Sequence, residues 1–205
     1  DLKVFNFGVL GYGIDQAFLR WRDFGGPQNC KIVIFGFAPT DVKRGVNLIR
    51  LLRTTRTEVP YSKPRFILKD KELFTINQPS LTPEEVLQRL TNIESWPLIE
   101  HEYYYNADKY TGDLWDNLKL VGVVKRLYRG RTQQSYSIKY SRESMYHLDQ
   151  EPAQIAMKTI NKWISEAKNL EQEFITVHLP SRSDLKEASK TELVYKPLLT
   201  KIAAQ

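Results

Sequence analysis

A chain of 205 residues, 41% hydrophobic and 26% charged, has the composition of one ordinary globular domain, with or without an insertion, and can bury a core. No stretch approaches the roughly 18 consecutive apolar residues of a membrane span, and a single cysteine, Cys30, leaves no disulfide framework and no thiolate metal cluster. The net charge of +6 is spread over 30 basic and 24 acidic residues; its densest run is Lys125–Arg131. Interleaved charge of that kind reads as solvated surface rather than a nucleic-acid footprint.

Taken in order, the chain opens on Leu2–Val9, an apolar run that predicts a buried strand, followed by a glycine turn through Gly8, Gly11 and Gly13. A helix is expected from Tyr12 or Gly13, because Ile14, Ala17, Phe18 and Trp21 recur on one helical face. Gly25-Gly26-Pro27 should end it. Lys31–Phe37 is predicted as a second strand, apolar throughout like a central parallel strand. Pro39-Thr40-Asp41 then starts a helix carrying Val42, Val46, Ile49 and Leu52. Strand, turn and helix, repeated, define an α/β unit with a parallel sheet. In such sheets a ligand site lies outside the carboxyl ends of the strands, here Gly8–Gly13 and Phe37–Asp41.

From Thr54 prolines break the pattern. Arg65–Ile76 predicts a hairpin turning at Lys69-Asp70-Lys71, and Thr82-Pro83-Glu84-Glu85 a capping box opening a helix to about Asn92. His101–Trp115 has no sustained period; its aromatics Tyr103, Tyr104, Tyr105, Tyr110 and Trp115 suit pinning a loop to the core better than stacking on a sugar. We read 53–116 as an insertion on the α/β core. Leu118–Tyr128 is apolar enough for a helix or a strand, and helix is preferred. Ala156, Ile160, Trp163, Ile164 and Ala167 mark an amphipathic helix starting near Glu151-Pro152. Glu173–Leu179 is a third core strand holding His178, and Lys190–Ala204 a last helix kinked or truly begun at Pro197.

Asn6-Phe7-Gly8-Val9-Leu10-Gly11-Tyr12-Gly13 resembles the second conserved block of SGNH/GDSL-type hydrolases, an N-x-G-x-x-G pattern closing strand two. Ile32–Asp41 is similar to the third block, an apolar strand ending in a turn of the form G-x-N-D. Asp41, Arg44 and Asn47 in a D-x-x-R-x-x-N helix, with the KPRF segment beyond, resemble certain bacterial members. The resemblance implies a three-layer, flavodoxin-like α/β fold with the hairpin-and-helix segment inserted. It also implies a serine nucleophile in a Gly-Asp-Ser turn after strand one and a D-x-x-H segment supplying the base. Carried over, Gly11 matches the oxyanion glycine and Thr40 the asparagine position, where its hydroxyl is a departure from the amide. Asn6 would brace the glycine turn, with Gly8 supporting it, and Asp41 would cap the next helix.

There is no Gly-Asp-Ser in the chain, and none of His101, His147 or His178 stands three residues after an aspartate. Since it also opens in a strand and closes on a helix, we expect it to be the middle of a larger domain whose ends carry the serine and histidine. The implied activity is hydrolysis or transfer of an ester acyl group, on a small-molecule, glycan or lipid ester, with no metal and no organic cofactor. The alternative is a non-catalytic binding domain with the same fold and a lost triad. Nucleotide binding is disfavoured: Gly11-Tyr12-Gly13 lacks the third glycine of the dinucleotide fingerprint and the lysine of a P-loop. Asp108 and Asp113 lack calcium-loop spacing, and Ser144 with His147 has no carboxylate placed to complete a triad.

Overall fold

A computed structural model describes residues 3–24, 26, 30–53, 59–105 and 144–204. The protein is mixed α/β. Its parallel sheet consists, among the described residues, of β1 (Ile32–Phe37) and β4 (Glu173–His178), paired in register from Ile32 with Glu173 to Phe37 with His178. An antiparallel hairpin, β2 (Arg65–Lys69) and β3 (Glu72–Ile76), stands apart from it. The helices are α1 (Ile14–Asp23), α2 (Pro39–Gly45), α3 (Arg50–Arg53), α4 (Pro83–Thr91), α5 (Glu151–Asn169), α6 (Arg182–Ala188) and α7 (Lys196–Ala203).

Helix α5 is the hub. It packs against α1, α2, α7, β4 and the hairpin. Its Ala156, Ile160, Trp163 and Ala167 are buried, as their spacing requires. Trp163 packs on Phe18 and Trp21 of α1, on Phe35 of β1 and on Phe174 of β4. Along β1 burial alternates: Val33, Phe35 and Phe37 face these helices, while Ile32 and Ile34 are 51% and 69% exposed. The described residues therefore cover one face of the sheet only. The unbroken apolar run of β1 predicted cover on both faces.

Leu2–Val9 departs from expectation. Residues 3–9 form no strand, and Val4 is 85% exposed. A strand exists only where a neighbour completes its backbone ladder, and here a cleft separates this run from β1.

Elsewhere the local signals hold. The hairpin turns at Asp70 and Lys71, both with positive φ (50° and 66°), as the tight primed turns of hairpins demand. Thr82 caps α4, its hydroxyl accepting the Glu85 N–H while the Glu85 carboxylate accepts the Thr82 N–H. Pro197 lies in the first turn of α7 and so marks the helix's true start rather than a kink. The helix opened by Pro39 stops at Gly45; Ile49 lies in a bridge to Ser62, and Leu52 belongs to the separate α3. The expected helix at Leu118–Tyr128, Tyr110, Trp115 and the run Lys125–Arg131 lie outside the described residues, as do Asp108 and Asp113.

Candidate functional site

The two turns singled out by sequence do meet. Gly11 adopts φ +88°, a conformation that favours glycine, and Tyr12 N–H closes the turn on the Val9 carbonyl at 3.3 Å. Asn6 Oδ1 accepts the Gly8 N–H at 2.8 Å and so braces the run before it. Gly13 lies hard against α2: a Cβ there would stand 2.9 Å from Gly45 N and 3.0 Å from the Arg44 carbonyl carbon. No side chain larger than hydrogen fits between Gly13 and the Arg44–Gly45 end of α2.

Asp41 and Arg44 fasten the junction. The Asp41 carboxylate accepts the Ala38 N–H at 2.9 Å, capping α2, and takes the Arg44 guanidinium at 2.7 Å. Arg44 also donates to the Tyr12 carbonyl at 3.4 Å. Burial pushes the Asp41 carboxyl up, opposed by the Ala38 N–H and by Arg44. Asn47, third in that pattern, donates to the Ile49 carbonyl at 2.8 Å and to Glu102.

Two cavities open at this junction. A cleft of about 500 Å³ runs between Phe5–Gly11 on one side and Ile32–Gly36 on the other, with Asp41 and Arg44 at one end and Trp163 in its wall. Asn6, Gly8, Gly11 and Asp41 all line it. Thr40 does not; it is exposed in the first turn of α2. A second cavity of about 380 Å³ shares Gly11, Tyr12 and Arg44 with the cleft and adds Arg50, Arg53 and Lys63.

The buried charges beside the second cavity include Glu102 and Asp15, which carried no motif. Glu102, buried, accepts the N–H groups of Leu48 at 2.5 Å, Ile49 at 2.8 Å and Tyr104 at 2.9 Å. Burial pushes its carboxyl up against these bonds. By taking the Leu48 and Ile49 amides it withdraws them from any helix, which separates α2 from α3. Lys63 is ion-paired with buried Asp15; burial drives the carboxyl up and the ammonium down, and each partly restores the other's charge. The signal available for Asp15 was its place on the apolar face of α1. Arg65 is likewise buried, donating to the Val46 carbonyl at 2.9 Å and pairing with Glu151 at 2.5 Å.

The aromatic run behaves as a pin. Tyr103 is buried, the Tyr104 hydroxyl donates to the Lys43 carbonyl at 3.1 Å, and the Tyr105 hydroxyl donates to Glu94 at 3.2 Å. Burial pushes the Tyr104 phenol up to about 12. The described histidines stand apart from both cavities: His101 lies 3.4 Å from Glu100, His147 is exposed and His178 stacks edge-on against Tyr195. Ser144 and His147 are joined through their backbones at 3.1 Å. No group of three or more His, Cys, Asp or Glu that would suit a metal ion occurs among the described residues, and no described helix is long and apolar enough to cross a membrane.

Fold and site together define an α/β protein with a small parallel sheet and paired cavities where its two glycine-and-proline turns meet. Comparison with family models, with curated proteins and with solved structures found no match.

Proposed function

We propose that this chain has a three-layer, flavodoxin-like fold of the SGNH/GDSL hydrolase type. The activity of the intact protein would be serine-dependent hydrolysis or transfer of an ester acyl group, on a lipid or carbohydrate O-acyl ester. The observation that carries the reading is the cleft between Phe5–Gly11 and β1. In a flavodoxin-like sheet the strand order 2-1-3 puts strand one between strands two and three. If the extended run Lys3–Val9, unpaired here, takes the place of strand two and β1 that of strand three, the cleft occupies the place of a strand whose carboxyl end would reach Gly11 and Asp41. A serine delivered there would need a base to activate it and donors for the tetrahedral oxyanion. The Gly11 N–H is the donor we favour, since it sits at a turn with no side chain in the way; Thr40, exposed, is the weaker candidate.

One observation favours the second reading, a binding domain without the triad: neither a serine nor a histidine lines the cleft among the described residues. Labelling the full-length gene product with a fluorophosphonate, read by intact mass, separates the two. A single serine adduct supports the hydrolase. Folded protein that takes no adduct overturns it and leaves the binding domain.

A further inference from the structure

The second cavity is unusual in its charge. Arg44, Arg50, Arg53 and Lys63 line it, and among the described residues no carboxylate does. Arg44 and Lys63 are neutralised from behind by Asp41 and Asp15. Among the described residues neither Arg50 nor Arg53 forms a close ion pair with a carboxylate, although the Asp41 charge reaches Arg53 from a distance. Arg53 is held near the hydroxyl of Tyr104. The Arg50 guanidinium stands over the Gly11 turn, its Nη1 3.6 Å from the point where a Cβ on Gly11 would lie. Like charges gathered around a concavity repel one another and focus a positive field into it. Such an arrangement is relieved by an anion.

We propose that this cavity is an oxyanion subsite, taking the carboxylate or phosphate of an organic ligand. The inference rests on the reading above and deepens it: the ester substrate carries an acid group, and that group seats beside the Gly11 turn. The guanidinium fork presents paired N–H donors that match either oxyanion. At about 380 Å³ the cavity falls within the range of small-molecule sites and exceeds what a bare ion fills. Because it shares Gly11, Tyr12 and Arg44 with the cleft, an acid bound there leaves the rest of the molecule to extend into the cleft. A basic patch meant for a polymer backbone would instead lie across open surface.

The test uses binding rather than turnover, so it stands or falls apart from the fluorophosphonate result. The chain is titrated at low salt with glucuronate, with inorganic phosphate and with glucose, following the amide resonances of Gly11 and Tyr12. Saturable shifts with an acid and none with glucose are expected, and the tighter of the two acids identifies the class. Arg50→Gln with Arg53→Gln should weaken that binding about tenfold or more; Arg50→Gln alone, at an exposed position, should weaken it by less while leaving the fold intact. Equal response to glucose, absence of saturable binding, or acid binding undiminished in both variants overturns the proposal.

Discussion

Glu102 does two things with one carboxylate: it takes the amides that would continue a helix past Gly45, and it holds Asn47, which lines the basic cavity. Burial raises its pKa above the ordinary 4.5, so the folded chain holds this proton at a higher pH than the unfolded chain does. Across that window the folded state binds more protons, and stability falls as pH rises until the folded-state value is passed. Glu102→Gln cannot ionise. It is expected to be less stable overall, by about 1–3 kcal/mol for the weakened bonds to the Leu48, Ile49 and Tyr104 amides, but to lose less stability on going up through that window. Urea midpoints measured from about pH 4 to 8 give both quantities. A variant whose midpoint falls as steeply as the parent's would put the titration elsewhere, on Asp15 or Asp41, whose carboxyls are raised in the same direction.

The element that positions the site is the α1–α2 pair, and its contact is set at Gly13. A methyl there would lie within 3.0 Å of main-chain atoms of Arg44 and Gly45, and backbone yields less readily than a flexible side chain. Gly13→Ala is expected to cost about 1–3 kcal/mol through overpacking and to push the Tyr12 carbonyl away from Arg44. Thermal unfolding reads the first effect and the amide shifts of residues 11–13 the second. A variant as stable as the parent would mean that the two helices separate freely.

At this same scale it is clear which elements the sequence disclosed. Helices α1, α4 and α5 and the hairpin follow from period, capping and turn chemistry, all of which act within a few residues. Helix α6 was not foreseen, and two further features did not follow. Lys3–Val9 has the composition of a strand, but a strand needs a partner, and the nearest edge lies across the cleft. The run from Val42 to Leu52 has helical spacing, yet the chain breaks at Asn47–Ile49 because a carboxylate 53 to 55 residues onward captures it. Of the candidate site, the glycine turn and the Asp41–Arg44 pair were legible as motif. The cluster of Arg50, Arg53 and Lys63 was not, since only folding brings the segment before Arg53 beside the KPRF segment.

Among the described residues the parallel sheet is covered on one face only. Ile34 and Val177 stand exposed with Ile32 and Ile175 on the same face of the sheet, and the Leu179 side chain lies over Gly36. A contiguous apolar strip of this kind, which also walls the cleft, favours self-association where no other part of the chain covers it. Ile34→Lys with Val177→Thr is expected to reduce self-association of the chain, measured by sedimentation, with the melting temperature little changed. Undiminished association in a folded variant would place the contact on another surface.

The capture of the Leu48 and Ile49 amides by Glu102 also has a consequence in time. That contact closes a loop of more than fifty residues, and loop closure is an entropic cost met before the contact it permits. Local helix formation past Gly45 competes with the native break until the loop closes. The Arg50 and Arg53 side chains are therefore expected to reach their places late in folding, after α1 and the hairpin have formed from neighbouring residues. The Leu48 and Ile49 amides would be the reporters of that last step, gaining protection from hydrogen exchange after those of α1.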